Sequence, residues 1–179
     1  MKEVEVKILE IDRGIVERKL NSLGASKTFE GGVETIFFDF PGNPIANAKN
    51  LLRLRKKGDK TELTFKKFIA NESAKVTDEY EVLVSDFETI YFILESLGLV
   101  AIQRMKKHRI SYALRSGVRV DLDRYVGEFS HIPDLMELEA QDTPTLRSHI
   151  KLLGFKPEDG KSWTTFDLVD YYSGKRARA

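Results

Sequence analysis

Charged and β-branched residues alternate along Glu3-Val4-Glu5-Val6-Lys7-Ile8, with every charge at an odd position and every apolar side chain at an even one. This period of two predicts a strand with one apolar face. Asp12 is placed to cap a following helix, whose apolar positions Ile15, Val16, Leu20 and Leu23 have helical spacing and which Gly24 can end. The phrase returns twice. Glu79-Tyr80-Glu81-Val82 precedes a helix from about Asp86 through Ile90, Ile93, Leu94 and Leu97 to Gly98, and Glu137-Leu138-Glu139 precedes one from about Thr143 through Leu146, Ile150 and Leu153 to Gly154. The intervals are irregular, so this is recurring architecture and not a solenoid.

Further strands are predicted at Leu52-Arg53-Leu54-Arg55, Glu62-Leu63-Thr64-Phe65-Lys66, Lys107-His108-Arg109-Ile110-Ser111-Tyr112 and Val118-Arg119-Val120-Asp121-Leu122-Asp123. Gly58-Asp59 and Ser116-Gly117 read as hairpin turns, and Pro41-Gly42-Asn43-Pro44 as a loop. No linker divides the chain. One domain over residues 1–174 is expected, followed by a basic, frayed tail at 175–179.

The polar faces of these strands are ionised in pairs, sorted by sign. Acids stand at Glu3/Glu5, Glu79/Glu81, Asp121/Asp123 and Glu137/Glu139, and bases at Arg53/Arg55 and Lys107/Arg109, with Lys7 and Lys66 in addition. A single such strand is what any half-solvated sheet shows. If amphipathic helices cover the apolar faces from outside, the charged faces turn inward, and closing the sheet fills a barrel lumen with charge that must be neutralised or must bind something. Arginine pairs and lysines suit phosphate oxygens. Carboxylate pairs suit a hard cation such as Mg²⁺ or Mn²⁺. On the pattern alone, inward functional faces and solvated faces both remain open.

The bulk composition narrows the alternatives. The 29 basic and 28 acidic residues nearly cancel, so net charge gives no reason to expect nucleic acid or a membrane surface as partner. With no cysteine, disulfides, thiolate metal sites and cysteine nucleophiles are excluded. No stretch approaches the roughly 18 apolar residues of a membrane span, and no apolar signal region precedes the first strand, so a cytoplasmic protein is expected.

Glu3-x-Glu5-x-Lys7, Leu52-Arg53-Leu54-Arg55, Leu63-Thr64-Phe65-Lys66, Glu79-x-Glu81, Lys107-x-Arg109, Val120-Asp121-Leu122-Asp123 and Glu137-x-Glu139, in this order, resemble the CYTH domain of the triphosphate tunnel metalloenzymes. Thr35-Ile36-Phe37-Phe38-Asp39 and Lys161-Ser162-Trp163-Thr164 look like the patterns of its cyclase-related branch. The chain departs from the family between Tyr125 and Leu135, where a longer stretch passes through Phe129, His131 and Pro133.

The resemblance implies an α+β fold, a mainly antiparallel closed β-barrel of about eight strands with amphipathic helices outside. It implies Mg²⁺ or Mn²⁺ on Glu3, Glu5, Glu137 and Glu139, and a triphosphate on Lys7, Arg53, Arg55, Lys66, Lys107 and Arg109. Glu79, Glu81 and Asp123 would be catalytic, with Asp121 on the same face as Asp123. The implied partner is inorganic triphosphate, ATP or thiamine triphosphate. A homodimer stays open. Three activities follow from one grip: hydrolysis of the terminal phosphate, cyclisation of ATP to cyclic AMP and pyrophosphate, or capture of polyphosphate or RNA 5′ ends without turnover. Hydrolysis is the expectation, since no adenine pocket is announced. His108, His131 and His149 lack metal-ligand spacing and take no role. Trp163, Tyr171 and Tyr172 are expected to anchor the C-terminal segment.

Overall fold

The computed structural model describes residues 2–71 and 74–176. Among them eight strands, β1 (Lys2–Ile8), β2 (Ser26–Asp39), β3 (Leu51–Lys57), β4 (Lys60–Asn71), β5 (Lys75–Val84), β6 (Val100–Ala113), β7 (Arg119–Val126) and β8 (Leu135–Ala140), form one closed barrel in the order β1-β5-β4-β3-β2-β6-β7-β8. All neighbours are antiparallel. β8 returns to β1 with Glu5 opposite Glu139 and Lys7 opposite Glu137. Besides this closing pair, two further pairings join strands that are not consecutive, β1 with β5 and β2 with β6. The chain reaches these positions through two helices, α1 (Arg13–Ser22) after β1 and α3 (Phe87–Ser96) after β5. The Gly58-Asp59 and Ser116-Gly117 turns close the β3–β4 and β6–β7 hairpins, as the sequence predicts. The expected loop runs through Asn43, and its last residue, Pro44, opens a short helix, α2 (Pro44–Asn47).

With α4 (Thr143–Leu152), the three predicted helices share one construction. Asp12, Asp86 and Asp142 accept the backbone N–H of Ile15, Thr89 and Thr145 at 2.9, 2.7 and 2.7 Å, satisfying donors that the first helical turn leaves unpaired. At the other end Gly24, Gly98 and Gly154 take φ of 70°, 90° and 92°. The next residues, Ala25, Leu99 and Phe155, then donate to the carbonyls of Leu20, Leu94 and Ile150. This is the six-to-one hydrogen bond of a Schellman ending, which favours glycine at the left-handed position.

The even-numbered apolar residues of β1 face outward. Val4, Val6 and Ile8 pack with Leu122 and Leu138 beneath Val16 and Leu20 of α1 and Leu146 and Ile150 of α4, all buried. A second outer cluster joins Ile36, Phe38 and Leu54 to Leu94 and Leu99 at α3. The helices cover less than their spacing predicts. Ile15, Ile93 and Leu97 are exposed, and so are Tyr80 and Val82 on the outer face of β5.

A third cluster lies at one end of the lumen. Phe37, Met105, Tyr125 and Leu135, on the inward face of their strands, meet Leu168 and Tyr172 of a final helix, α5 (Thr165–Arg176). Phe129 and Ile132 complete it. The stretch in which the sequence departs from the CYTH pattern therefore builds this apolar plug, with a 3-10 turn at Gly127–Phe129. α5 sits over a mouth of the barrel and not on its outer wall. It runs through Arg176, so the boundary expected at 174 falls inside a helix, and residues 177–179 of the expected tail lie outside the described residues. Trp163 packs on Tyr171 with ring centroids 4.9 Å apart, and the Tyr172 hydroxyl donates to Glu10 at 2.9 Å, so the aromatic anchor is present.

Leu138 is fully buried between β8 and its helical cover, whereas Leu152 is 48 % exposed. Leu138→Ala should cost about 2–5 kcal/mol of unfolding free energy in urea titrations. Leu152→Ala should stay within about 0.5 kcal/mol.

Candidate functional site

Strand parity sends the charged residues into the lumen. Every metal, triphosphate and catalytic residue expected from sequence lines it except Asp123, which is 1 % exposed and lies behind the others. The lumen has two chambers of different sign. The inner one, about 50 Å³, is lined by Lys7, Arg53, Arg55, Lys66, Lys75, Lys107 and Arg109 against two carboxylates, Glu5 and Glu137. Its apolar side consists of Phe37, Leu51, Met105 and Tyr125, with Thr165 at the start of α5. The outer chamber, about 170 Å³, brings in Glu3, Glu62, Glu79, Glu81, Asp121 and Glu139, with Lys57 and Arg119.

Burying so many charges is tolerable only if they compensate one another. Arg109 is the hub. It donates to Asp123 from Nε and Nη2 at 2.6 and 2.5 Å and to Glu137 from Nη2 at 2.5 Å, and it pairs with Asp121. Lys107 donates to the same Asp123 at 2.6 Å. Lys7 bridges Glu5 and Glu137, the latter at 3.0 Å. Lys66 pairs with Glu3 and, at 3.0 Å, with Glu79. Arg55 Nε donates to Glu62 at 2.7 Å, and Thr64 donates to Glu81 at 3.1 Å. Arg53 is the loosest of the lumen arginines: its nearest carboxylate, Glu79, is 3.4 Å away, and its buried Nε has no hydrogen-bond partner.

The protonation states follow from these surroundings. Burial opposes ionisation of Glu137, but Lys107, Lys7 and Arg109 outweigh it and hold its carboxyl well below the usual range. Glu5 is likewise lowered, Lys7 overcoming the effect of burial. Lys107 moves the other way, because burial and the adjacent Arg109 disfavour its ammonium more than Asp123 supports it. Glu139 is pushed up to about 7 by burial and by the Glu3 carboxylate, against the opposing pull of Arg119.

The family model for the CYTH domain matches residues 1–150. The chain belongs to the CYTH-domain family. That family includes triphosphatases and class IV adenylyl cyclases, which act on triphosphates. Among solved structures, the PH1012 protein of Pyrococcus horikoshii OT3 superposes with a TM-score of 0.77 at 25% identity, covering 93% of this chain and 98% of that one. A conserved hypothetical protein of Pyrococcus furiosus gives 0.75 at 28% identity over 93% and 99%. HpAC1 of Hippeastrum, an adenylyl cyclase candidate with a dominant triphosphatase activity, gives 0.67 at 16% identity over 93% and 94%, a likeness of fold. A search of curated proteins returns no match.

Within this CYTH barrel the four expected metal ligands are neighbours on two paired strands, with Glu5 directly across from Glu139. Their oxygen donors suit a hard cation. Burial and the Glu3 carboxylate together raise Glu139, and a divalent ion there would add positive charge. Each carboxylate is now tied to a lysine or arginine, and no group of three acids or histidines among the described residues is already gathered around one point. The residues fit the ion chemically, and their ion pairs would have to loosen to receive it.

Glu79 and Glu81 line the outer chamber, Glu81 nearer to solvent. Asp123 touches Lys107 and Arg109 and fixes both, while Asp121, opposite Glu137, lines the chamber itself. Sequence reading missed Lys57, Glu62, Lys75 and Arg119. Parity alone could have found them, since each lies an even number of positions from an assigned residue on its own strand: Arg55, Lys66, Glu79 and Asp121 respectively.

Burial and Glu3 push Glu139 up to about 7, so a cation held by Glu139, as the resemblance implies, would have to displace a proton below that pH. Mg²⁺ affinity measured by calorimetry should fall about tenfold per pH unit below 7 and level off above it. Glu139→Gln should flatten that dependence.

Proposed function

We propose that the protein is a divalent-metal-dependent phosphohydrolase that removes the terminal phosphate of a triphosphate, inorganic or organic, held in the tunnel. The observation that carries this reading is the sorting of charge along the barrel: a chamber with seven cations and two carboxylates opens into one with eight carboxylates and six cations. The first suits a chain of phosphates, and the second the cation that accompanies it. A binding module would need only the first.

Phosphoryl transfer requires chiefly position and charge neutralisation. In this reading Lys7, Arg53, Arg55, Lys66, Lys107 and Arg109 hold the phosphate oxygens, and Asp123 keeps Lys107 and Arg109 aimed at them. Glu3, Glu5, Glu137 and Glu139 would hold Mg²⁺ or Mn²⁺, which supplies positive charge to the oxygens on which negative charge develops. Glu79 or Glu81 orients a water molecule toward the terminal phosphorus and accepts its proton. The new bond joins the water oxygen to phosphorus, and the bond to the bridging oxygen breaks. Orthophosphate leaves, and the diphosphate remains with its organic group where there is one. The dominant triphosphatase activity of HpAC1 is of the same class.

The test is incubation with Mg²⁺ or Mn²⁺ and, in turn, inorganic triphosphate, ATP and thiamine triphosphate, with phosphate, pyrophosphate and cyclic AMP measured. Orthophosphate release is expected. Cyclic AMP with pyrophosphate would replace hydrolase by cyclase, and a raised melting temperature without turnover would leave a binding module. Glu5→Gln should lower turnover by about 100-fold or more, since it removes a metal ligand and a partner of Lys7; unchanged turnover would refute the assignment.

A further inference from the structure

A serine and a histidine from distant parts of the chain meet outside the lumen. Ser116 is exposed in the β6–β7 turn, His149 lies near the end of α4, and neither lines either chamber. The Ser116 hydroxyl and His149 Nε2 are 2.8 Å apart. On the other side of the ring, Nδ1 is 2.7 Å from the carbonyl oxygen of Thr145, one helical turn earlier. A carbonyl oxygen only accepts, so in the neutral ring Nδ1 carries the proton and Nε2 accepts the Ser116 hydroxyl. Ser148 Oγ, 3.2 Å from Nδ1, donates to the same carbonyl at 2.8 Å and leaves this assignment unchanged.

The order is hydroxyl, imidazole, fixed acceptor, in which a serine is joined to a general base and the base to the group that orients it. Both partners are held in place. The turn is closed by Leu114 N–H donating to Val118 and Gly117 N–H donating to Leu114, each at 2.9 Å, with Gly117 at a φ of 83°. Leu146 and Ile150, buried beneath α4, fix the helix that carries His149.

The same turn limits the chemistry. The N–H of Gly117, next along the chain from Ser116, is spent on Leu114 and is not offered to a developing oxyanion. Acyl transfer to Ser116 therefore requires a donor whose leaving group is itself activated. Water attacking the resulting ester would meet the same lack of a donor, so the ester should persist.

We propose that Ser116 is a covalent acceptor site, taking an acyl group from an activated donor (a thioester, an acyl phosphate or a phenyl ester) with His149 as its general base. Ser116 Oγ attacks the carbonyl carbon and gives its proton to His149 Nε2. The bond from that carbon to the leaving atom breaks, and the leaving group takes the proton from Nε2. The product is an acyl ester on the outer wall of the barrel.

The full-length protein is treated with p-nitrophenyl acetate, and peptide mass spectrometry reads acetylation at each serine. Ser22 and Ser148 serve as references, since both are exposed and their hydroxyls donate to the backbone carbonyls of Lys19 and Thr145. Ser116 should be acetylated at least about tenfold faster than either, a modest share of what a positioned general base supplies. His149→Gln keeps a side-chain hydrogen-bonding group beside the turn but removes the base. It should bring Ser116 down to the reference rate at an unchanged melting temperature, and Ser116→Ala should abolish the fast adduct. Equal rates at the three serines of the wild type would overturn the proposal without recourse to any variant. An undiminished rate at Ser116 in His149→Gln would overturn it as well, leaving the pair as a tie between hairpin and helix.

Discussion

Arg109 faces three carboxylates, Asp121, Asp123 and Glu137, from two neighbouring strands, and the lumen depends on this meeting. A guanidinium buried in a barrel is tolerable only when its donors are satisfied, and a buried carboxylate only when its oxygens are. Asp123 meets the condition for three groups at once, since it also receives Lys107. Its burial makes it a scaffold for two cations. The mutual attraction of β6, β7 and β8 through these side chains fixes the register in which Asp121 lies opposite Glu137. A slip by one residue would place Arg109 outside and Ile110 inside, so electrostatics and the hydrophobic effect select the same register.

The same compensation is incomplete elsewhere, and the deficits are organised. Acids are in excess at Glu3 and Glu139, and cations at Arg53, Lys75 and Lys107. A fold selected for stability alone would pair them. Here the excesses lie in adjacent chambers with opposite signs, which is the arrangement a metal ion and its polyphosphate would neutralise together. The outer helices and α5 supply apolar burial that offsets the cost of holding this charge ready.

Most of this was legible in the sequence because a strand exposes alternate residues to each side. Once Val4, Val6 and Ile8 are assigned to a helical cover, Glu3, Glu5 and Lys7 have nowhere to go but inward, and the three Asp-to-Gly helices mark where the cover lies. Charges that stand in pairs mark the inward parity; isolated ones do not. Lys75 is separated from Glu79 by Thr77, and Glu62 from Lys66 by Thr64, so neither forms such a pair. The first half of β2 carries Thr28, Gly31 and Gly32, too little apolar periodicity to mark a strand; its long pairing with β6 supplies what local pattern lacks. The placement of α5 over a mouth was illegible for a different reason. It depends on Phe129 and Ile132, in a stretch with no period, meeting Phe37 and Met105 from strands far away in sequence.

The plug also gives the barrel a direction. An open tube lined by the same residues could admit a phosphate chain from either end, and its metal could sit at any of several carboxylates. With Tyr125 and Leu135 closing one end, the charge gradient and the steric gradient run together: the narrow end is the cationic one. Tyr125 is well suited to that boundary. Burial and the nearby Asp123 and Glu137 carboxylates push its hydroxyl well above the usual range, so it stays neutral, and its ring lies 5.5 Å from the Lys107 ammonium. An aromatic face can stabilise a cation without neutralising it. Lys107 thus lies between the Asp123 carboxylate and the apolar wall, lining the chamber.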